Sequence, residues 1–488
     1  MVLEQHKTLL PFTFRRLPQN RFLVVNQCGE YLFLNLTEFD ELLACSEGNS
    51  SPLFLKLQAK HFMTVEDDDL AIELLATKLR TRKAYLTSFT TLHMMVITAR
   101  CNCVCDYCHA SSIDPEKRDV DMTWDVARKT IDMIFQAPAP SIKIEFQGGE
   151  PLLNWEIVKE SILYARFVNR FAKRKLGFVI CTNIIALTPE IVNFCKKNEI
   201  DLSTSLDGPR DLHDGHRKSR DGRSSYDCFK KNLGAARLGL GYEGCSALLT
   251  ITRDHLQRLP EVIDHYVEMG FTGVFLRALN PYGYAVANYS NIGYTPEEFV
   301  VAFSKALDYI VELNLAGTPF VEYYTALLLQ RVLTPFSTGF VDLQSPSGAG
   351  ISGVIYDYNG EIYPADEARM LARMGDKKFL MGNVMTDSYE QVFDGPVIRD
   401  LAYNSCVETM PGCATCAYQL YCGADPIRYY VEKGDVVGSR PDSGFCKKNK
   451  RILDYIFTIL DQGDERIINL FWAWATRRSL SEVTLESC

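Results

Sequence analysis

No apolar run in this chain approaches the roughly 18 residues that a membrane-spanning helix needs, so no membrane partner is expected. The opening residues, MVLEQHKTLLPF, lack a charged start followed by an apolar core, so no secretory signal is expected. Surplus positive charge is missing too. Lys and Arg number 52 against 61 Asp and Glu, for a formal net charge of −9. Such a balance is poor at neutralising phosphates, so no nucleic-acid partner is expected. Internal repeats and low-complexity tracts are also absent. These absences leave a cytoplasmic globular protein. What is present is bulk: 488 residues, 47% of them hydrophobic. That is enough for roughly three domains of about 150 residues.

The sequence is rich in cysteine, with 16. In a reducing compartment these are not a disulfide framework, and clustering points to metal or redox chemistry. They do cluster: four lie between Cys101 and Cys108, and five between Cys406 and Cys446. The others, Cys28, Cys45, Cys181, Cys195, Cys228, Cys245 and Cys488, read as small buried hydrophobes.

Residues 1–88 read as a small α+β module. Segments 12–16, 21–25 and 31–34 alternate as short strands with turn residues between them. Leu36-Thr37-Glu38 opens a helical pattern with Phe39, Leu42 and Leu43 on one face. Such a sheet either caps the next domain or accepts an extended peptide as an added strand. Lys78, Arg80, Arg82 and Lys83 form a basic run, read as a solvated face or a contact for an acidic peptide.

Over residues 89–318 strand and helix alternate. Strands are expected at 92–98, 142–146, 178–181, 202–206, 247–251 and 274–276. Helices are expected after Thr123, over 154–167, after Thr188-Pro189, and near 226–238, 259–269 and 295–312. Alternation implies an α/β fold with a parallel sheet. Curled into a partial (β/α)6 barrel, it would place active residues at the C-terminal ends of the strands. Residues 319–455 lose the alternation. Gly348, Gly350, Gly353, Gly360 and the late cysteines predict a loop-rich region around a metal centre. Residues 456–488 form a helix-like tail.

Cys101, Cys105 and Cys108 are spaced C-x3-C-x2-C. A four-iron cluster takes four ligands, normally thiolates, so three leave one iron open. A zinc knuckle on Cys105 and Cys108 is the alternative, and the role of Cys103 stays open. After the next strand comes Gln147-Gly148-Gly149-Glu150-Pro151. Its glycines permit close backbone approach to a ligand, and Glu150 offers an acceptor for an ammonium group. Thr182-Asn183 ends the third strand. Ser205-Leu206-Asp207-Gly208-Pro209 ends the fourth, and Arg217 follows.

These motifs resemble those of the radical SAM superfamily, with Tyr107 at the aromatic position before the last cysteine. The resemblance implies a [4Fe–4S] cluster on Cys101, Cys105 and Cys108. It implies S-adenosyl-L-methionine held by Gly148, Gly149, Glu150, Asn183, Ser205 and Arg217, the guanidinium pairing with its carboxylate. In such enzymes the cofactors carry the radical chemistry, and the protein orients them and excludes water.

Cys413-x2-Cys416-x5-Cys422, with Cys446 beyond, reads as a second metal site. It resembles the SPASM or twitch domains of radical SAM enzymes that modify peptides. A full SPASM pattern has further cysteines where this chain has Ala365 and Pro426. The resemblance therefore implies one auxiliary [4Fe–4S] cluster on Cys413, Cys416, Cys422 and Cys446. Zinc is the alternative, since spacing alone does not choose the metal. The role of Cys406 stays open. By resemblance to sulfatase-maturating enzymes, Asp366 is the candidate catalytic base, with Glu367 and Tyr363 beside it. The alternative is a structural carboxylate paired with Arg369.

Segments LPFTFRRLP, LATKLRTRKAYL, IEFQGGEPLLN and YDYNGEIYPADEARML extend a resemblance to the radical SAM maturases of His-Xaa-Ser systems over residues 10–446. That resemblance implies a ribosomally synthesised precursor peptide as substrate, docked by the N-terminal module. It also implies an electron donor such as flavodoxin or ferredoxin, and a second radical SAM protein. Two other functions fit the residues: radical chemistry on a small molecule, and a non-enzymatic zinc protein.

Overall fold

The computed structural model describes residues 7–44, 52–65, 69–439 and 442–486; Cys45 and Cys488 lie outside them. Numbering the strands of the main sheet along the chain, β1 is Leu92–Thr98, β2 Ser141–Gly148, β3 Lys175–Cys181, β4 Ile200–Ser205, β5 Cys245–Thr250 and β6 Leu276–Arg277. Each pairs in parallel with the next. Alternation decides the faces. Ile142, Ile144 and Phe146 are at most 1% exposed, in the core beneath the helices, while Gln147 lines a cavity inside the barrel. Helices begin where the sequence supplies caps. The Thr123 hydroxyl accepts from the Val126 amide at 3.4 Å, and that of Thr188 from Ile191 at 3.3 Å. Thr295 and Glu298 cap each other's amides. The expected last strand divides: Gly273–Val274 pairs with Val321–Glu322, and only Leu276–Arg277 stays in the main sheet.

The main sheet does not stop at the barrel. β7, Gly353–Tyr356, lies parallel to β1, with Gly353 opposite Leu92 and Tyr356 opposite Met95. β8, Glu361–Tyr363, and β9, Gly382–Asn383, follow antiparallel. The C-terminal region thus pairs the edge that β1 would otherwise expose. It is also less loop-like than expected, with helices at Tyr323–Leu333, Asp366–Arg373, Pro426–Lys433 and Gly444–Gln462.

The N-terminal module has a three-stranded antiparallel sheet of Phe12–Leu17, Arg21–Asn26 and Tyr31–Leu34. A further pair, Lys7–Leu9 with Met63–Val65, was not expected from the sequence. One sheet face, with Phe22, Val24 and Leu34, packs in a core of its own. The other, with Leu17, Leu23 and Val25, belongs to the main core. Phe39 and Leu42 are buried, but Leu43 is 57% exposed, because the buried stripe of its helix is narrower than the pattern implied. Helix Gly444–Gln462 covers the second face. Arg15 donates to Asp454 at 2.7 and 2.8 Å, and Arg21 to Asp461 at 2.6 Å. Tyr31 and Phe33 meet the Phe457 ring edge-on at 5.2 and 6.3 Å.

The basic run is not a solvated face. Arg82 is buried and donates to the Cys28 carbonyl at 2.6 Å and the Arg331 carbonyl at 2.8 Å. Lys78 pairs with Glu30, and Lys83 with Glu408. The tail forms two helices, Glu465–Thr476 and Leu480–Glu486, the first packed on Tyr323–Leu333. Among the described residues, no helix is long and apolar enough to cross a membrane.

Candidate active site

At the end of β1, Arg100 is locked bidentately on Asp121, at 2.7 Å for both contacts, and donates to the Leu153 carbonyl at 2.9 Å. The cysteine loop that follows is tied down by backbone. Cys103–Cys105 pairs antiparallel with Arg217–Ser219. The Asp106 amide donates to the His216 carbonyl at 3.1 Å, and the Tyr284 amide to the Cys108 carbonyl at 2.9 Å. Gly283 makes that last approach possible: at φ +57°, a Cβ there would sit 2.4 Å from the Cys108 carbonyl oxygen.

The glycine turn after β2 is bonded to the same stretch. Gly149 donates to the Thr98 carbonyl at 2.8 Å, and Glu150 to the Arg100 carbonyl at 2.7 Å. A Cβ on Gly148 or Gly149 would lie 2.2 or 2.1 Å from those two oxygens, so no side chain fits. The two motifs therefore form one unit, set by main-chain contact.

Cys101, Cys103, Cys105, Cys108, Gly148, Gly149, Asn183, Ser205 and Arg217 line one cavity of about 220 Å³. Glu150 does not. It is fully buried and accepts from the Thr182 hydroxyl at 2.7 Å and the amides of Asn183 and Leu152 at 2.8 and 3.1 Å. It holds the end of β3 in place from behind the cavity wall, and burial pushes its pKa up. Asn183 donates to the Asn102 side chain at 2.7 Å, bridging to the cysteine loop. Arg217 donates to the Tyr107 hydroxyl at 2.7 Å, and that hydroxyl donates to Asp207.

Do these residues suit a cluster and a sulfonium ligand? The four cysteines are free thiols. Contact with Cys103 and then burial raise the Cys101 pKa; burial raises those of Cys105 and Cys108. Metal binding must therefore displace protons. The buried Gln147 amide nitrogen has no hydrogen-bond partner, in a residue that lines this cavity, so an acceptor on a ligand would satisfy it. Among the described residues, no three Cys, His, Asp or Glu side chains converge tightly enough to chelate one metal ion. A single zinc holds its sulfurs at about 2.3 Å, whereas a four-iron cluster takes one thiolate per iron and so spreads them. The thiols lining one cavity and the unpartnered Gln147 amide fit a cluster and its ligand.

Cys413, Cys416, Cys422 and Cys446 form a second neighbourhood. The Cys422 thiol is pushed up to about 12 by burial and by Cys416, Cys446 and Cys413. Cys446 sits in the first turn of helix Gly444–Gln462, its amide capped by the Ser443 hydroxyl at 3.1 Å. Arg331 donates to the carbonyls of Leu420, Tyr421 and Cys422 at 2.7, 3.2 and 3.3 Å. Cys406 stands apart, with its thiol on the Ala402 carbonyl at 3.4 Å.

Ala365 caps helix Asp366–Arg373, and Pro426 opens helix Pro426–Lys433. Asp366 and Glu367 line a second cavity of about 290 Å³, with Asp342 and Lys448. Leu248 and Arg277 line both cavities, so the two adjoin. Burial raises Asp366, but the hydrogen bond with Glu367 and the charge of Arg277 outweigh it and hold its pKa below the usual value. Glu367 is pushed well above its usual value by burial and by Asp366. The two carboxyls are thus shifted in opposite directions. Arg369 is not the partner of Asp366; it pairs with Asp357 at 3.2 Å. Tyr363 donates to Glu361 at 2.8 Å. Arg277, Asp342, Lys448 and Gln147 were not anticipated. Two carried a signal: Arg277 at the end of the last barrel strand, and Gln147 directly before the glycine turn.

Residues 95–265 match the Radical SAM superfamily. An uncharacterized protein of Methanocaldococcus jannaschii is 25% identical over 189 residues, 38% of this chain and 62% of that protein. The radical SAM cyclopropyl synthase TigE of Paramaledivibacter caminithermalis is 27% identical over 169 residues, 32% of this chain and 34% of its own length. The chain thus spans less than two thirds of both. The cysteine-type anaerobic sulfatase-maturating enzyme of Clostridium perfringens is 22% identical over 368 residues, 73% of this chain and 93% of that enzyme. In fold, the chain is similar to anSMEcpe with bound AdoMet, at a TM-score of 0.64 and 17% identity, covering 77% of this chain and 100% of that one. It is also similar to Streptococcus suis SuiB bound to precursor peptide SuiA, at a TM-score of 0.52 and 16% identity, covering 90% and 100%. Residues 95–265 are thus similar to the Radical SAM superfamily, and the α/β fold with its parallel sheet is shared with these two solved structures.

Proposed function

We propose that this enzyme matures a ribosomally synthesised precursor peptide, installing a cross-link in a segment with His-Xaa-Ser repeats. The observation that carries the reading is the joining of two cavities at Leu248 and Arg277. One cavity has the cysteines and ligand-binding polar groups; the other has a carboxylate pair suited to take up a proton. Likeness to SuiB, a structure bound to its precursor peptide, supports a peptide substrate.

In this reading Cys101, Cys105 and Cys108 hold the reactive cluster, and Cys413, Cys416, Cys422 and Cys446 the auxiliary one. Gly148, Gly149, Asn183, Ser205 and Arg217 hold S-adenosyl-L-methionine, with Glu150 fixing the wall. When bound, these cofactors supply the radical that removes hydrogen from unactivated carbon. As the new bond forms, the proton passes to Asp366 and the remaining electron to the auxiliary cluster held by Cys413, Cys416, Cys422 and Cys446, so that two hydrogens leave per cross-link. Glu367, protonated beside it, keeps the pair from carrying two negative charges. The N-terminal sheet docks the precursor along a free strand edge. A flavodoxin or ferredoxin supplies electrons, a second radical SAM protein acts alongside, and the work is cytoplasmic.

Co-expression with a His-Xaa-Ser peptide encoded beside this gene, followed by mass spectrometry, tests the reading. The expected product is lighter by two hydrogens per cross-link. An unmodified peptide, recovered with enzyme that cleaves S-adenosyl-L-methionine, would sink it.

A further inference from the structure

The second cavity is walled by rings. Phe275, Tyr324, Phe340 and Phe445 line it, and Phe340 lies 6.1 Å from both Phe275 and Tyr324. Lys448 sits over Tyr324 at 5.3 Å and over Phe445 at 5.7 Å. Asp342, Asp366 and Glu367 add acceptors. At about 290 Å³, the cavity suits a single side chain.

We propose that the cavity receives one aromatic side chain of the substrate, of a kind whose ring carries a donor: indole, phenol or neutral imidazole. Rings gain edge and face contacts from the walls, and a donor at their tip answers the carboxylates. An aliphatic side chain leaves those acceptors unanswered. A cationic one meets Lys448 and Arg277, and an anionic one meets the carboxylates. Because Arg277 and Leu248 form the junction with the cofactor cavity, a residue anchored here presents its neighbouring backbone to that cavity. The inference rests on the reading of the substrate as a peptide, but its test does not need the precursor.

The reconstituted full-length enzyme, anaerobic and saturated with S-adenosyl-L-methionine, is titrated calorimetrically with the N-acetyl amides of Trp, Tyr, His, Leu and Lys. The three ring compounds are expected to bind about three- to tenfold more tightly than the other two, the scale of an aromatic pair. Val341→Trp, which fills the cavity, should abolish that preference, and Phe340→Ala, which opens its wall, should weaken it. Melting temperatures report whether each variant is folded. Equal binding of the Leu amide, or preference for the Lys amide, overturns the proposal. So does binding of the ring compounds only when S-adenosyl-L-methionine is left out, which would make this the site of the cofactor's adenine. A ring preference with no modification of the co-expressed precursor leaves the pocket standing and removes the precursor assignment.

Discussion

The two cysteine sets are braced differently. The first lies within Cys101–Cys108, on one loop, joined to its neighbours by a main-chain strand pair with Arg217–Ser219, with the Asn183 side chain adding a bond to Asn102. The second joins a loop at Cys413–Cys422 to a helix start at Cys446, and is held by side chains. Arg331 grips three successive carbonyls, and Tyr418, beside Cys416, donates to Asp454 at 2.6 Å. The first set puts four thiols on a cavity, three of them at the C-x3-C-x2-C spacing proposed for the reactive cluster; the second offers four thiols. A metal site with an open position does chemistry, and a closed one supports structure or electron flow. Backbone anchoring keeps the reactive loop in register with its ligand cavity, while side-chain bracing ties the distant set to the rest of the fold.

Replacing Cys101, Cys105 or Cys108 with Ala should have the largest effect, abolishing deoxyadenosine release in the presence of reductant, as read by chromatography. Cys103→Ala should retain release; its loss would mean that the open position is filled differently. Next, Cys446→Ala should halve the iron bound and stop peptide modification, yet leave cofactor cleavage intact. Cleavage lost with it would erase the distinction between the sets. Arg331→Gln should cost about 1–3 kcal/mol in denaturant unfolding, because buried carbonyls lose a charged donor. The smallest effect is pH-dependent. Burial and then Asp342 push Asp425 up to about 7. The folded state binds that proton more tightly than the unfolded chain, so the stabilisation is full below the ordinary carboxyl value and is lost as pH rises through about 7. Wild-type melting temperature should therefore fall more steeply between about pH 5 and pH 8 than that of Asp425→Asn.

The barrel and its cysteine loop were legible because their signals are local. Ile142, Ile144 and Phe146 alternate, Thr123 and Thr188 cap, and Gly148-Gly149 marks a turn where no Cβ fits. What escaped depends on distant partners. Nothing near Gly353 reveals that β7 will lie beside Leu92. Arg82 reads as surface charge until Cys28 and Arg331 surround it. Glu150 was legible at the glycine turn, but its donors Thr182, Asn183 and Leu152 were not, since the first two lie at the end of another strand. Asp342 and Lys448 reach the second cavity from elements more than a hundred residues apart.

Helix Gly444–Gln462 closing over the N-terminal sheet has a consequence for biosynthesis. Nascent domains fold from the N-terminus as they leave the ribosome. Here the earliest sheet must wait, with Leu17, Leu23 and Val25 uncovered, until residues 444–462 have emerged. The same late helix delivers Cys446. The first cysteine loop emerges early, but the second site exists only once Cys446 has been made, so one late helix both covers the sheet and completes that site.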